Sequence, residues 1–125
     1  MQYVIHACRP RFNDCENIAQ CLEFLEATFL NCMLYANNVL NVRSIAIPAM
    51  SAGVFGVPIH IVALAISNAT RSFDRYLSKL PPDRKYVVRI KVVNTDDKIT
   101  EMLATEIGRD GPPTCLGRLL RLAAK

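Results

Sequence analysis

The stretch Ser44–His60, SIAIPAMSAGVFGVPIH, carries the reading of the fold. Arg43–Pro48 is a short apolar run, continuous rather than alternating, which predicts a strand buried on both faces. A break of small residues follows, with glycine at Gly53 and Gly56. Pro58 then suits the first turn of a helix. Beyond it, apolar residues recur at Ile59, Val62, Ala63, Ile66, Ala69 or Thr70, and Phe73. Steps of three and four residues mark a helix with one apolar face.

Working outward, Gln2–Cys8 (QYVIHAC) is β-branched and aromatic at its centre and is stopped by Pro10, so a strand is predicted. Asn13 followed by Glu16 has the spacing of a capping box. A stripe at Ile18, Leu22, Leu25, Phe29, Cys32 or Met33, and Ala36 then predicts an amphipathic helix of about five turns. Asn37-Asn38 is its expected end, because asparagine tolerates a left-handed cap. Leu80-Pro81-Pro82-Asp83 reads as a turn. Tyr86–Val93 reads as a third strand with Arg89 and Lys91 interleaved. Thr95 or Asp96 is placed to cap a last helix reaching about Ile107.

The order is therefore βαβαβα. It predicts an α/β fold with a mostly parallel sheet of about three strands and right-handed crossovers. So thin a sheet leaves a strand edge unpaired. Residues 1–107 form the expected domain, and 108–125 a linker and basic tail. Gly108–Pro113 has linker composition, and Thr114–Lys125 mixes Leu116, Leu119, Leu120 and Leu122 with Arg118, Arg121 and Lys125. That tail reads either as a short amphipathic helix for a partner or acidic surface, or as a frayed terminus.

The bulk composition excludes several classes. At 125 residues, half of them apolar and about a fifth charged, the chain has the make-up of one globular domain. It has no apolar run long enough for a membrane span and no signal-peptide pattern at Met1–His6, so no membrane partner is expected. The five cysteines, Cys8, Cys15, Cys21, Cys32 and Cys115, include no C-x-x-C pair. With only His6 and His60 beside them, a metal site is not expected. Cys21 and Cys32 read as small core residues. A reducing compartment is expected, nuclear or cytoplasmic. Residues 1–70 hold three Lys/Arg against four acids, whereas 71–125 hold twelve against seven. The second half therefore favours anionic partners, nucleic acid among them, or is simply a solvated basic face.

In an open parallel sheet, ligands sit beyond the carboxyl ends of the strands. The Ser51–Gly56 loop lies at such an end. Gly53 and Gly56 permit positive φ and close approach, Ser51–Phe55 can offer successive backbone N–H groups, and a helix N-terminus follows. This suits a phosphate or diphosphate, although a strand, glycine loop and helix also occur together as a tight turn. The P-loop lysine and the dinucleotide fingerprint are both lacking. His6 is read as structural, since no Asp or Cys is placed by sequence to orient it as a base. Ser51 lacks the G-x-S-x-G context of a nucleophile. Asp96-Asp97 read as helix caps. No catalytic residue is assigned.

The same stretch, SIAIPAMSAGVFGVP, resembles the second phosphate loop of macro domains, in which I-P-A-(I/L)-S-(S/T/A)-G-(V/I)-(F/Y)-G-(F/Y)-P leads from strand to helix. VIHACRPRF is similar to that family's V-I-H-A-V-G-P-x-W/F strand, and VRIKVVNTDDKITEML fits its last strand and helix. The resemblance is strongest to macro domains of the poly-ADP-ribose polymerase 9 and 14 type and covers about residues 2–107. It implies a three-layer αβα fold that binds ADP-ribose, free or attached to proteins, as a ligand derived from NAD, with no cofactor. By position, the amides of Ser51, Ala52, Gly53, Val54 and Phe55 would face the diphosphate. Phe55 would lie against the distal ribose, and Gly56 would permit the turn. Asn94 would lie near the adenine. Without the resemblance, Phe55 reads as a core aromatic and Asn94 as a turn residue.

The sequence departs from the family in two ways. It contains neither the adenine-binding acidic residue nor an N-A-A-N-x-x-L-x-x-G-G-G-type loop, so the expected domain is truncated to its C-terminal two-thirds. Arg9 also stands where the motif has glycine. These features order the functional expectations. A binding module for ADP-ribose or ADP-ribosylated proteins comes first, weakened by the missing wall. A degenerate fragment acting as a non-catalytic interaction or regulatory protein comes next. An ADP-ribosyl hydrolase comes below both, because the loop that would support catalysis is absent. Apolar surface left by the short sheet favours a homodimer or association with another domain.

Overall fold

The helix expected after the first apolar segment does form, but its start and end lie elsewhere than the sequence suggests. In a computed structural model that describes residues 3–7, 15–48, 56–87, 89–94, 101, 105 and 120–124, α1 runs from Ile18 to Tyr35. Its cap is Asn17, whose Oδ1 accepts from the Gln20 amide at 2.8 Å. Gln20 in turn accepts from the Glu16 amide at 2.6 Å. This reciprocal pair works as a capping box set four residues later than Asn13 and Glu16 predict; Asn13 lies outside the described residues. The buried face of α1 is Cys21, Leu25, Phe29, Cys32 and Met33. Ile18, expected on that face, is 47 % exposed.

Cys21 is core, as expected, yet it is joined to Cys15 by a disulfide. Their Cα atoms lie 5.6 Å apart, within the span a disulfide bridges. The bond ties the chain just ahead of α1 to its first turn. Closing so short a loop stabilises by about 2 kcal/mol at most. Cys15→Ser is expected to lower unfolding free energy by about that amount in oxidising buffer, and to cost much less than that in dithiothreitol. Parallel urea titrations compare the two conditions.

The C-terminal end of α1 differs more. Asn37-Asn38 does not stop the helix. The backbone widens into a π-turn over Ala36–Leu40. Asn41, at φ 53°, ψ 41°, takes the left-handed position, and the amides of Asn41 and Val42 both reach the Ala36 carbonyl. Asn37 is fully buried. Its Oδ1 accepts from the Tyr86 amide at 2.8 Å and the Val87 amide at 3.1 Å, and its Nδ2 donates to the Arg84 carbonyl at 3.1 Å. The side chain thus ties the end of α1 to the approach to the second strand, almost fifty residues away.

The strand β1 is Ser44–Pro48, α2 is Ile59–Ser78 and β2 is Arg89–Asn94. Pro58 sits at the N-cap of α2, one position before its first turn. Pro82–Arg84 forms a short 3₁₀ turn. Glu101 and Thr105 are helical, with the Thr105 hydroxyl donating to the Glu101 carbonyl at 3.0 Å, in the region where the last helix is expected.

The sheet is parallel, as predicted, but its strands are not all those expected. The order is β1-β2-β3, with β3 at Leu120–Ala124. Ser44 pairs with Arg89, and Ile90 pairs with Leu120. The tail segment expected as a helix or frayed end therefore adds a strand along the far edge of β2. Tertiary pairing wins here because the preference of a five-residue segment is weak beside a ladder of backbone hydrogen bonds. Conversely, the expected first strand over Gln2–Cys8 carries no strand pairing in its described residues 3–7. The α/β class and the three-strand count hold, through a different third strand.

Burial shows which face of the sheet is covered. Along β1, Ile47 is buried and Ile45 half-buried, while Ser44, Ala46 and Pro48 are exposed. On β2, Ile90 and Val92 are buried, whereas Arg89 and Lys91 are exposed. The expectation that β1 is buried on both faces therefore fails. Alternating exposure means one face is open, and α1 and α2, packed on each other, cover the other. Among the described residues the protein forms two layers.

Helix α2 is the centre of the core. Ile61, Val62, Ala65, Ile66, Ala69, Phe73 and Leu77 are all buried. The Asn68 amide donates across to Glu26 of α1 at 3.1 Å. Thr70 is buried too, but its hydroxyl donates to the Ile66 carbonyl at 2.7 Å. The Ser67 hydroxyl is buried without a partner, which costs free energy. Ser67→Ala is accordingly expected to raise stability by about 0.5–1 kcal/mol, read as a higher urea midpoint at unchanged slope.

Candidate functional site

The candidate site is built from three described pieces: the carboxyl end of β1, the amino end of α2 and the carboxyl end of β2. β1 ends at Pro48 and α2 begins at Ile59, so ten residues span the turn between them. Gly56 is described within that turn, exposed and at φ 76°. A Cβ is disfavoured at that angle, so glycine is required there for the chain to turn. Val57 is buried and anchors the end of the turn in the core.

The amino end of α2 is electrostatically suited to an anion. No side chain caps it and no acidic residue lies in its first turn. The Pro58 carbonyl accepts from the Ile61 and Val62 amides at 3.0 and 3.1 Å. The positive end of the dipole of this 20-residue helix is thus left without a neutralising carboxylate of its own.

Parallel pairing brings β2 to the same end of the sheet. Pro48 pairs with Val93, so the backbone of Asn94 lies one step beyond, beside the start of the turn. It also pairs with Ala124 of β3. Of the residues predicted to bind, Gly56 and Asn94 are therefore placed at this end. Ser51, Ala52, Gly53, Val54 and Phe55 lie outside the described residues.

The rest of the titratable chemistry is sparse. His6 is exposed on the segment facing β1. Cys32 lines the groove between that segment and β1, but burial pushes its thiol pKa up, which leaves it protonated and a poor nucleophile at neutral pH. Among the described residues no group of three His, Cys, Asp or Glu is arranged to hold a metal, and no helix is long and apolar enough to cross a membrane.

One residue was read for the wrong role: Asn37, expected to end the helix, is instead a buried tie. Asn37 continues the series Leu25, Phe29, Met33 at four-residue steps. A polar residue on an apolar stripe signals a buried hydrogen-bonding role, and that signal lies in the spacing itself.

The family model for the macro domain matches residues 1–66, slightly more than half of the chain. The chain belongs to the macro domain family. The match takes in the Tyr3–Ala7 segment, α1, β1, the whole glycine-containing turn and the first two turns of α2. Members of this family generally bind ADP-ribose. No curated protein and no solved structure matches the chain. Of the candidate site in this macro domain, the match therefore spans the end of β1, the glycine-containing turn and the start of α2, while β2 lies beyond it.

Proposed function

We propose that this macro domain is a binding module for ADP-ribose or mono-ADP-ribosylated proteins, of the poly-ADP-ribose polymerase 9 and 14 type, acting in the nucleus or cytoplasm. The observation that carries the reading is the family match over the β1–turn–α2 unit. The uncapped helix end and the positive φ of Gly56 support it. In this reading the amides of Ser51–Phe55 cradle the diphosphate, Phe55 lies against the distal ribose, and Asn94 lies near the adenine. Of the family's site, these 125 residues supply the glycine-containing wall and contain no N-A-A-N-type loop. A dissociation constant of about 0.1–1 mM is expected, equivalent to roughly 4–5.5 kcal/mol.

Titration calorimetry with ADP-ribose tests this. Saturable heat is expected from the native chain, and Gly53→Glu is expected to abolish it by placing a carboxylate against the diphosphate. A folded sample that gives no heat at several millimolar ligand overturns the proposal.

A further inference from the structure

Positive charge gathers at the amino end of the sheet, opposite the glycine-containing turn. Residues 75–94 hold six Lys/Arg against a single acid, Asp83. Arg75 and Lys79 stand at the carboxyl end of α2, where cations offset the helix dipole. That role fades beyond the last turn of a helix. It does not extend to Arg84, Lys85 and Arg89, which follow in the 3₁₀ turn, just after it and at the start of β2. Lys79, Arg84, Lys85 and Arg89 are all exposed, and none of the four makes an ion pair among the described residues. Like charges held this near one another repel. An apolar layer laid over them would strand each charge out of water. The surface therefore suits a polyanion.

The backbone that carries these cations is fixed at several points. Asn37 accepts from the Tyr86 and Val87 amides and donates to the Arg84 carbonyl, which ties the segment to the end of α1. Pro81 and Pro82 lead into the 3₁₀ turn, and the Arg84 amide donates to the Pro81 carbonyl at 2.9 Å. The Arg89 amide donates to the Arg43 carbonyl at 3.2 Å. Asn38, the next residue after Asn37, donates from Nδ2 to the Tyr76 hydroxyl at 2.8 Å. The two asparagines thus bring Tyr76 of α2 and Tyr86 of the approach to β2 to the same end of α1, beside the cations. Tyr76 is 36 % exposed and Tyr86 half-buried. Groups fixed in advance lose less freedom on binding.

We propose that this surface binds a single-stranded nucleic acid, with Lys79, Arg84, Lys85 and Arg89 on its phosphates and Tyr76 and Tyr86 as platforms for its bases. Charge selects a polyanion. The tyrosines select nucleic acid over an acidic peptide, because a base has a π-face to stack and a carboxylate has none. A single strand is selected over a duplex because its bases are free to splay onto aromatic side chains. The surface lies at the amino ends of the parallel strands, the opposite end of the sheet from Gly56 and Asn94. The ADP-ribose reading uses none of its residues.

The test uses a fluorescein-labelled oligothymidylate of twelve nucleotides, titrated against the full chain by fluorescence anisotropy at several salt concentrations. Saturable binding is expected. Four cations on the phosphates of a single strand predict that log affinity falls against log salt with a slope of about −3. Arg84→Gln combined with Lys85→Gln is expected to halve that slope and to weaken binding at least tenfold in 50 mM salt. Both side chains are exposed, so the fold is retained, as circular dichroism would verify. Tyr76→Leu is expected to weaken binding at least about fivefold with the slope unchanged, which a purely electrostatic surface would not show. Saturating ADP-ribose is expected to leave the oligonucleotide bound. Absence of saturation at 1 mM protein in 50 mM salt overturns the proposal. So does an unchanged slope in the double variant, which would place the contact elsewhere. Displacement by ADP-ribose also overturns it, in favour of binding at the glycine-containing turn. A polyglutamate of matched charge that binds as tightly as the oligonucleotide overturns it in favour of an acidic peptide.

Discussion

Asn37→Leu is expected to lower the unfolding free energy by about 3–5 kcal/mol. The magnitude follows from what the side chain leaves behind rather than from its own loss. Its Oδ1 accepts from two backbone amides, those of Tyr86 and Val87, and its Nδ2 donates to the Arg84 carbonyl and to Asn38 Oδ1 at 2.9 Å. Leucine fills a similar volume but satisfies none of these partners. Each buried backbone group stranded without a partner costs about 1–3 kcal/mol. Asn37→Asp is the informative companion. It keeps the acceptor contacts to the Tyr86 and Val87 amides and gives up the bonds donated from Nδ2, so it is expected to cost less than leucine. Urea titrations of the two variants side by side read the difference. A loss below 1 kcal/mol for Asn37→Leu would show that the tie between α1 and the β2 approach contributes little.

Phe73→Ala is expected to cost a further class of stability, about 3–5 kcal/mol. Phe73 is fully buried on α2, among the largest enclosed side chains, and belongs to the cluster that joins α1, α2 and the covered face of the sheet. Truncation removes the transfer term and leaves a cavity that helices held on both sides cannot fully collapse. Phe24→Ala is the control. Phe24 is 50 % exposed on α1, and its loss is expected to cost under about 1 kcal/mol, since most surface substitutions are mild. The same amino acid change on two helices thus separates burial from composition. Circular dichroism melts of both variants at matched concentration provide the comparison.

Much of the architecture was legible in local pattern. The stripe Leu25–Phe29–Met33 and the run from Val62 to Phe73 gave both helices, because a 3.6-residue period leaves a face only a core can satisfy. Arg43–Pro48 gave β1 to within a residue. Misreadings cluster where a distant partner decides. The alternation of exposure along β1 depends on nothing covering Ser44 and Ala46, a fact about neighbours. The end of α1 slid past Asn37 because that amide has partners at residues 84–87. Asn17 outcompeted Asn13 as the cap, since Asn17 and Gln20 have the same spacing and lie nearer the first buried residue of the helix, Cys21.

The candidate site divided along similar lines. Its local requirements, a strand end, a glycine at positive φ and an unneutralised helix N-terminus, are short-range and could be read from SAGVFGVP directly. The family match spans this stretch. Sequence alone therefore determined the alternation of helix and strand, the parallel sense of the sheet and the place of the glycine-containing turn at its carboxyl end, because each follows from periodicity and chain connectivity. Only the tertiary structure decided that residues 120–124 supply the third strand and that Asn37 is a buried tie between α1 and the approach to β2. Those outcomes depend on which backbone groups find partners across the fold, and hydrogen bonds between residues dozens of positions apart leave no period in the sequence.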